Sequence, residues 1–264
     1  MKPFFEDKDF RLYLGDSIKI LSKLPKESVD MIFADPPYNL SSGGITCKGG
    51  KMESVDKGEW DKPLTLQENL KFTKRWIKAC ARVLKPNGTI WISGTYHSIY
   101  TAGYALLSEK FKIINDIAWF KPNAPPNLSC KCFTASHETI LWAKKDNKKN
   151  YTLNYKEMKF KNWDDDPIKK EGKQMRSVWT IPSAKKSEKK SGSHPAQKPL
   201  AVLKRIIEAS TKEGDLVLDP FCGSSTTGIQ AILMKRKFIG IDIMPEYVEL
   251  SKKRYKDMFK IWDV

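Results

Sequence analysis

Apolar residues recur at two spacings along this chain, and the two spacings alternate from one end to the other. Runs such as Val29–Ala34 place apolar side chains at nearly consecutive positions, a pattern typical of buried strands. The stretch after Thr65 repeats them every three or four residues, as in an amphipathic helix, and Thr65 with Glu68 forms a capping box before it. Strands that alternate with helices predict an α/β fold with a mainly parallel sheet covered on both faces.

The individual elements follow from the same two spacings. Strands are predicted at 11–14, 29–34, 89–93, 113–120, 139–143, 215–219 and 237–242. Helices are predicted at 16–24, 65–84, 97–108, 198–210, 224–235 and 245–259. Pro86-Asn87-Gly88 is expected to end the second helix, because proline and glycine both interrupt helices.

Two stretches interrupt the alternation. Residues 39–63 are rich in Gly, Ser and Lys and show no period, so we expect a mobile loop directly after the strand at 29–34. Between residues 144 and 190, 15 basic residues stand against 7 acidic ones. Aromatic residues are interleaved with these charges, which favours an insertion that contacts nucleic acid over a solvated, partly disordered surface segment. The interleaved aromatic residues are Tyr151, Tyr155, Phe160, Trp163 and Trp179.

The overall charge also points to an anionic partner. Lys and Arg number 47 against 31 Asp and Glu among 264 residues, a formal net charge of +16 with a sequence pI near 9.5. A protein with such an excess of basic residues usually binds a polyanion. The alternative is a basic surface that only aids solubility. The acidic N-terminus lacks the apolar stretch of a signal peptide, and no apolar run approaches the roughly 18 residues of a membrane span. These features predict a cytoplasmic protein without a membrane partner.

The cysteines favour the same compartment. The five are odd in number and irregularly spaced, which is typical of free thiols under reducing conditions. Cys130 and Cys132 with His137 could begin a zinc site, but a fourth ligand at a suitable spacing is lacking. We therefore expect no metal.

Asp35-Pro36-Pro37-Tyr38 is the first candidate for chemistry. It directly follows the predicted strand at 29–34, and its two prolines fix their own φ and favour an extended backbone before them. The Asp35 carboxylate and a nearby main-chain carbonyl can thus be held beside the flat face of Tyr38. Two acceptors next to an aromatic ring suit an exocyclic amino group on a planar base. An ordinary proline turn is the alternative.

A second candidate is the segment from Asp219 to Gly228, between a predicted strand and a predicted helix. Its small residues allow a ligand to approach the backbone, and the free N–H groups of the helix start point towards it. Asp242 ends the next strand, where an acid can accept hydrogen bonds from ribose hydroxyls. The combination suggests a ligand that contains adenosine. The glycine patterns of NAD sites and of ATP-hydrolysing P-loops are both absent.

Together these motifs resemble those of the amino-methyltransferases that use S-adenosylmethionine. Asp35–Tyr38 is similar to their catalytic motif, residues 219–227 are similar to their cofactor loop Asp-Pro-Phe-x-Gly-x-Gly-Thr-Thr, and residues 194–199 match a preceding His-Pro-x-Gln-Lys-Pro element. The order of the motifs resembles the β group of DNA amino-methyltransferases. Several stretches are similar to GATC-specific adenine methyltransferases of the DpnA type: 30–38, 54–61, 84–94 and 126–130. Ser225 departs from the pattern, since it stands where the family usually has its second glycine.

The resemblance implies a fold and an activity. The fold would be a circularly permuted, Rossmann-like methyltransferase with a mainly parallel seven-stranded sheet and a small DNA-contacting insertion. Residues 1–143 would form the catalytic half, 144–193 a basic target-recognition insertion and 194–264 the cofactor-binding half. The enzyme would methylate adenine N6 on a flipped-out base, in GATC, within a restriction-modification system. DNA, double-stranded and also single-stranded, would be the partner, and relatives suggest a homodimer.

The resemblance also assigns roles to individual residues. The catalytic residues would be Asp35, Pro36, Pro37 and Tyr38. The methionine carboxylate of the cofactor would lie near Lys198, helped by His194 and Gln197, while Asp16 would sit by its adenine ring and Asp242 would bind its ribose. The remaining contacts to the cofactor would come from Asp219, Phe221, Gly223, Ser225 and Thr226. A second ring, Phe133 or Trp60, would close the other face of the target base.

Four other functions remain open from the sequence. They are N4-cytosine methylation, adenine methylation on RNA, methylation of protein glutamine, and DNA binding by a non-enzymatic protein with a vestigial cofactor site. Aspartate at position 35 leans towards adenine, and the basic insertion gives a glutamine methyltransferase no advantage. Ser225 is the one feature that favours the non-enzymatic alternative.

Overall fold

The computed structural model describes residues 1–38, 64–127, 130–145, 148–163, 167, 169–192 and 194–260, and the backbone of 45–48 and 51–54. Its strands are β1 (Phe5–Asp7), β2 (Phe10–Leu14), β3 (Val29–Ala34), β4 (Ile45–Lys48), β5 (Lys51–Ser54), β6 (Leu84–Gly94), β7 (Lys112–Phe120), β8 (His137–Lys144), β9 (Val178–Thr180), β10 (Leu216–Asp219) and β11 (Lys237–Asp242). Its α-helices are α1 (Ser17–Lys23), α2 (Leu66–Val83), α3 (Ile99–Ser108), α4 (Tyr155–Phe160), α5 (Leu200–Ser210), α6 (Thr226–Leu233) and α7 (Pro245–Lys260).

One mostly parallel sheet organises the molecule, in the order β1-β2-β11-β10-β3-β6-β8-β7-β9. The seven inner strands of this order correspond to the seven predicted from the sequence. The sheet nevertheless has nine strands rather than seven, because a three-residue strand is added at each edge. Strands β10 and β11 come last in the chain yet lie between β3 and β2. This placement is the circular permutation that the motif order implies.

Two apolar layers enclose the sheet. Side chains of α2 and α3, such as Trp76, Ile77 and Ala102, pack on one face. Side chains of α5, α6 and α7, such as Ile206 and Tyr255, pack on the other. Because both faces are covered, the central strands β3 and β10 consist almost entirely of buried residues, which explains why they appear as continuous apolar runs in the sequence.

Two segments differ from the sequence predictions. Within 39–63, β4 and β5 pair as an antiparallel hairpin, where the sequence predicted only an irregular loop. Strand β6 begins at Leu84, directly after α2, so Pro86-Asn87-Gly88 lie inside a strand and do not form a separate turn. Gly88 is needed there, because a Cβ at this position would come within 2.9 Å of the Asp30 carbonyl oxygen.

The basic stretch is joined to the main body of the molecule. Strand β9 pairs in parallel with β7, and the Trp119 indole donates to the Ile181 carbonyl at 2.7 Å. Trp163 and Trp179 are buried in the core, with their rings 5.1 and 5.6 Å from the Arg205 guanidinium. These two rings therefore serve packing and are not available for stacking on nucleic acid. The rings of Tyr155 and Phe160 remain exposed.

No helix within the described ranges combines the length and the apolar character that crossing a membrane would demand.

The turn before α6 carries a backbone strain. Ser225 caps this helix with φ 53° and ψ 42°, in the left-handed region that residues with a Cβ adopt at a cost. Its side chain is fully buried, and within the described part of the chain its hydroxyl has no hydrogen-bond partner. A glycine at this position would avoid the cost of a Cβ in the left-handed region, whereas Ser225 holds the turn under strain.

We expect Ser225→Gly to raise the free energy of unfolding by about 1 kcal/mol, because glycine removes the left-handed cost. Urea denaturation and thermal melting measure this, and the expected rise in Tm is roughly 3 °C. Ser225→Ala is the matched control, since alanine keeps the Cβ and only removes the unpaired hydroxyl, so it should gain less stability than glycine. A stabilised alanine variant together with an unchanged glycine variant would contradict the strain.

Candidate active site

The carboxyl ends of four parallel strands meet at one edge of the sheet. Asp35 directly follows β3, Asp219 ends β10, Asp242 ends β11, and Asp16 lies two residues after β2. They surround a cavity of about 230 Å³. In open α/β sheets this edge is where ligands bind. The two loops that the sequence singled out therefore share one cavity.

Most of the predicted site residues line this cavity. On its wall are Asp16, Asp35, Pro36, Pro37, Tyr38, His194, Gln197, Lys198, Asp219, Phe221, Gly223, Thr226 and Asp242. Ser225 is not on the wall, and its neighbour Ser224 is there instead. The left-handed conformation of Ser225 explains the difference, because the residue is fully buried in the turn and its side chain does not reach the wall.

Several wall residues were missed by the sequence analysis. They include Ser17, Phe33, Phe72, Ala196, Ser224, Ile243 and Tyr247. Ser224 and Ile243 could have been found, since each directly adjoins a predicted site residue. Phe72 on α2 and Tyr247 on α7 carry no such signal, because only the packing of the helices brings them to the cavity. The Tyr247 ring meets the His194 ring edge-on at 4.2 Å.

Three donors hold the Asp35 carboxylate in place. Its Oδ1 accepts hydrogen bonds from the Tyr38 hydroxyl and the Ser93 hydroxyl, both at 2.6 Å. Its Oδ2 accepts from the Lys198 ammonium at 2.5 Å. Ser93 lies on β6, the strand beside β3, so sheet pairing supplies the second hydroxyl. The carboxylate is thus fixed in orientation while it still lines the cavity.

Lys198 stands closer to the catalytic motif than the resemblance implies. Its ammonium pairs with Asp35 and also lies 3.2 Å from the Tyr38 hydroxyl. Burial alone would lower the pKa of Lys198, but the carboxylates of Asp35 and Glu138 outweigh burial and raise it. The ammonium therefore stays charged between the two halves of the site. Glu138, which no sequence motif marked, is the second of these carboxylates.

The cofactor-type loop is held by Asp242 and by a glycine that the turn requires. Gly223 has φ 49°, and a Cβ there would meet the His194 ring at 3.2 Å. Its N–H donates to Asp242 Oδ2 at 2.8 Å, and the Met244 N–H donates to Oδ1 at 2.9 Å. Burial raises the pKa of Asp242 even against these donors. The carboxylate is oriented by the backbone and lies on the cavity wall.

Asp219 is the most strongly perturbed acid of the site. It is buried, and it accepts hydrogen bonds from the Thr227 hydroxyl at 2.6 Å and from the Phe221 N–H at 3.0 Å. Burial raises the pKa of Asp219 to about 7, although both hydrogen bonds act in the opposite direction. A cationic group in the cavity would stabilise the ionised form. The site is therefore suited to a ligand that carries positive charge near Asp219.

The last helix supports this loop from outside the cavity. The Ser251 hydroxyl donates to the Gly223 carbonyl at 2.6 Å. Arg254 donates to the carbonyl and the hydroxyl of Ser224, at 2.5 and 3.0 Å, and to the Thr226 hydroxyl at 3.1 Å. Burial lowers the pKa of Arg254 to about 10, so the guanidinium remains charged at neutral pH. Helix α7 thus fixes the backbone that borders the cavity.

Other candidates from the sequence do not join the site. Phe133 is fully exposed and is not among the wall residues, and Trp60 lies outside the described residues. Cys130 and Cys132 are exposed. Among the residues whose placement is described, no group of three or more His, Cys, Asp or Glu side chains could hold a metal ion.

Comparisons with known proteins agree with this arrangement. A family model described as DNA methylase matches residues 29–253. The chain is 54% identical over 254 residues to the type II methyltransferase M2.LlaDCHI of Lactococcus lactis subsp. cremoris, covering 96% of this chain and 91% of that protein. It is 53% identical over 254 residues to the type II methyltransferase M2.DpnII of Streptococcus pneumoniae, covering 96% and 92%.

Two solved structures share the fold. The complex of M1.HpyAVI with SAM superimposes with a TM-score of 0.67 at 28% identity, covering 93% of this chain and 98% of that one. The cytosine-N4-specific PvuII DNA methyltransferase gives a TM-score of 0.75 at 21% identity, covering 99% and 94%, a likeness of fold alone. From the family match and the two near full-length relatives it follows that this chain belongs to the N6/N4 family of DNA methylases, enzymes that use S-adenosylmethionine as methyl donor.

Proposed function

We propose that this enzyme methylates the N6 amino group of an adenine that is flipped out of DNA, within GATC, as the modification member of a restriction-modification system. One observation carries the proposal: the Asp35–Tyr38 loop and the Asp219–Thr227 loop open onto the same cavity of about 230 Å³. An acceptor for an amino group and a site for a cationic methyl donor are thus within reach of each other. The type II methyltransferases at 53–54% identity support the biological setting.

The wall residues fit S-adenosylmethionine by charge and shape. When bound, this cofactor supplies an electrophilic methyl group on a positively charged sulfur. Asp219 would face its positive charge, and Asp242 would accept hydrogen bonds from its ribose hydroxyls. Gly223 and Thr226 would border it, Phe221 would contribute an apolar contact, and Asp16 would lie by its adenine ring. Lys198, with His194 and Gln197 beside it, would contact the methionine carboxylate from its place next to Asp35.

The target amino group would be activated by Asp35 and the Pro36 carbonyl. The N6 lone pair of adenine is delocalised into the ring, so the nitrogen must move towards sp³ geometry before it attacks a methyl group. Two acceptors outside the ring plane favour that geometry and stabilise the positive charge that develops on nitrogen. Because three donors already fix the Asp35 carboxylate, it needs no reorientation during the reaction. Asp35 would then accept the proton that the amine releases.

A base within a duplex cannot reach this cavity, so it must first flip out of the stack. The ring of Tyr38 lines the cavity and its hydroxyl is tied to Asp35, which orients the ring for stacking on the base. Stacking of this kind is worth about 1–3 kcal/mol and recovers part of the cost of flipping. Phe133, or Trp60, which lies outside the described residues, is the proposed ring for the other face of the base.

The basic segment Lys185–Lys190 would contact the DNA backbone. Its exposed lysines flank Glu188, whose backbone carbonyl accepts a hydrogen bond from Gln197 and whose carboxylate accepts one from the Leu200 N–H. Gln197 lies on the cavity wall, so the segment adjoins the mouth of the site. The proposed organisation is a catalytic half (1–143), a basic target-recognition segment (144–193) and a cofactor-binding half (194–264). The substrate would be double-stranded DNA, with single-stranded DNA as a second substrate, and the active form a homodimer in the cytoplasm.

N4-cytosine methylation is separated from adenine methylation by product analysis. The cytosine-N4-specific PvuII enzyme has the same fold, so fold alone does not distinguish the two bases. DNA containing GATC, methylated by the pure enzyme and digested to nucleosides, should yield N6-methyladenine. N4-methylcytosine, or N6-methyladenine at other sequences, would refute the base or the sequence in the proposal.

Asp35→Ala should lower kcat by at least about 10²-fold, since the variant loses the charge that stabilises the reacting nitrogen. Calorimetry should find S-adenosylmethionine binding within a few-fold of the parent enzyme. Ser93→Ala removes only one of the three donors to the same carboxylate and should cost less than about tenfold. Retained turnover in Asp35→Ala would remove this residue from the mechanism.

Binding of S-adenosylmethionine should weaken as the pH falls through about 7, the raised pKa of Asp219. Below that pH the carboxyl is protonated and must release a proton before it can face a cation, so affinity should fall about tenfold per pH unit. Calorimetry at pH 6 in buffers of different ionisation enthalpy should detect release of nearly one proton. Asp219→Asn should bind weakly with no such dependence, and a flat profile in the parent enzyme would contradict the assignment.

Replacing Lys185, Lys186 and Lys190 by glutamine should weaken DNA binding and reduce its salt dependence. For each phosphate that these lysines no longer neutralise, the slope of log K against log salt should flatten by about 0.9. The matched control replaces Lys212, Lys235 and Lys237, which are exposed near the amino ends of the strands and away from the cavity. If both triple variants change the slope equally, the segment is only general basic surface.

A further inference from the structure

A second buried carboxylate lies behind the catalytic motif. Glu138, near the start of β8, is 9% exposed and is not on the cavity wall. Its Oε1 accepts a hydrogen bond from the Lys121 ammonium at 2.9 Å. Its Oε2 lies 3.3 Å from the Tyr38 hydroxyl and 3.5 Å from the Lys198 ammonium. Two of the groups that hold Asp35 are therefore also in contact with Glu138.

The four charges form an alternating chain that leads from the cavity outwards. Asp35 contacts Lys198, Lys198 contacts Glu138, and Glu138 contacts Lys121. All four side chains are largely buried, with exposures of 14, 8, 11 and 17%. Buried charges are tolerated when each has partners, and the loss of one member leaves its neighbour unpaired. The formal charge of the intact chain is zero.

The pKa directions agree with this geometry. Burial would raise the pKa of Glu138, but the ammonium groups of Lys198 and Lys121 outweigh it and hold the pKa below its usual value. Burial first, then the charges of Asp35 and Glu138, raise the pKa of Tyr38 well above its usual value, so its hydroxyl stays protonated. The negative charge of Asp35 also contributes to the raised pKa of Asp219 on β10, after burial. Glu138 and Tyr38 thus keep the protonation states that their contacts require.

We propose that Glu138, backed by Lys121, is a positioning residue for methyl transfer: it holds Lys198 and Tyr38 so that both donate to Asp35. The proposal rests on the function proposed above for the role of Asp35, and it concerns how that carboxylate is oriented. Glu138 contacts the same two donors at longer distances, and these contacts anchor both donors beside Asp35. Lys121 neutralises Glu138, so the second carboxylate does not oppose the ionisation of Asp35.

Two single variants and their combination test this chain. Glu138→Gln leaves one excess positive charge next to Asp35, and Lys121→Met leaves one excess negative charge. Glu138→Gln/Lys121→Met returns the cluster to neutrality. Glu208→Gln is the matched control, because Glu208 is also 9% exposed and its carboxylate pairs with Lys161 at 2.5 Å, away from the cavity wall.

The acid limb of the kcat/KM profile should move in opposite directions in the two single variants. It should shift to lower pH in Glu138→Gln, since excess positive charge favours the ionised cluster, and to higher pH in Lys121→Met, each by about one pH unit. The double variant should return the limb to its original position. We also expect kcat of Glu138→Gln to fall about tenfold, with S-adenosylmethionine affinity within twofold.

Unchanged limbs in both single variants would overturn the proposal, as would a double variant whose kcat equals that of the parent enzyme, because the double variant still lacks the Glu138 carboxylate that holds Lys198 and Tyr38. If Glu138→Gln fails to fold, the double variant and Lys121→Met test the proposal instead. The double variant should fold, because it contains no unpaired charge from this pair. If the acid limb shifts equally in Glu208→Gln, the shift reflects the net charge of the protein and not the contacts of Glu138. This result would also overturn the proposal. The parent enzyme, assayed in parallel for N6-methyladenine, tests the proposed function separately.

A measurement without substrate tests the same contacts. The lowered pKa of Glu138 means that its ionised form stabilises the fold above the usual pKa of a glutamate, and that this stability is lost as the pH falls through the folded-state value. Urea unfolding at acidic pH, from about 6 down to about 3, should therefore depend less on pH in Glu138→Gln than in the parent protein. An equal dependence in both would show that the lysines do not hold Glu138, against the proposal.

Discussion

The ion pair between Asp35 and Lys198 is the contact on which the site depends. It joins residues that are 163 positions apart, one after β3 and the other before α5. Strand β10 lies beside β3 in the sheet, and this pairing brings the N-terminal and C-terminal parts of the chain together at one edge. The Asp35–Tyr38 loop and the Asp219–Thr227 loop are thereby placed around one cavity. Without this pairing the two motifs would have no common site.

Burial strengthens this ion pair, and it also makes either charge costly without its partner. An isolated charge inside a protein costs several kcal/mol, so the interior holds Asp35 only with donors around it. Ser93 and Tyr38 supply neutral hydrogen bonds and Lys198 supplies charge, so the carboxylate is oriented before any substrate arrives. Such preorganisation is the usual way in which enzymes stabilise charge that develops during a reaction. The fold therefore fixes this buried acceptor on the cavity wall through polar contacts.

The sequence was sufficient for the parts of the structure that local patterns determine. The seven inner strands of the sheet and the motif loops follow from apolar runs and short motifs, and thirteen of the fourteen candidate residues on the cavity wall follow from those motifs and the family resemblance. The edge strands β1 and β9 were missed because three residues carry too little periodicity to stand out. Trp163 and Trp179 were misjudged because burial beside Arg205 depends on the tertiary packing of distant segments. Glu138 was missed for the same reason, since an ordinary strand residue becomes functional only through its neighbours.

The order of strands in the sheet has a consequence for synthesis on the ribosome. Strand β10 pairs with β3 on one side and β11 on the other, yet it is made long after β3. Until β10 and β11 emerge from the ribosome, β3 and β2 each present an unpaired edge. Pairings between strands so distant in the sequence form slowly. The nascent protein must therefore wait for its C-terminal region before the centre of the sheet can close. A polypeptide released early would expose those edges and be prone to self-association.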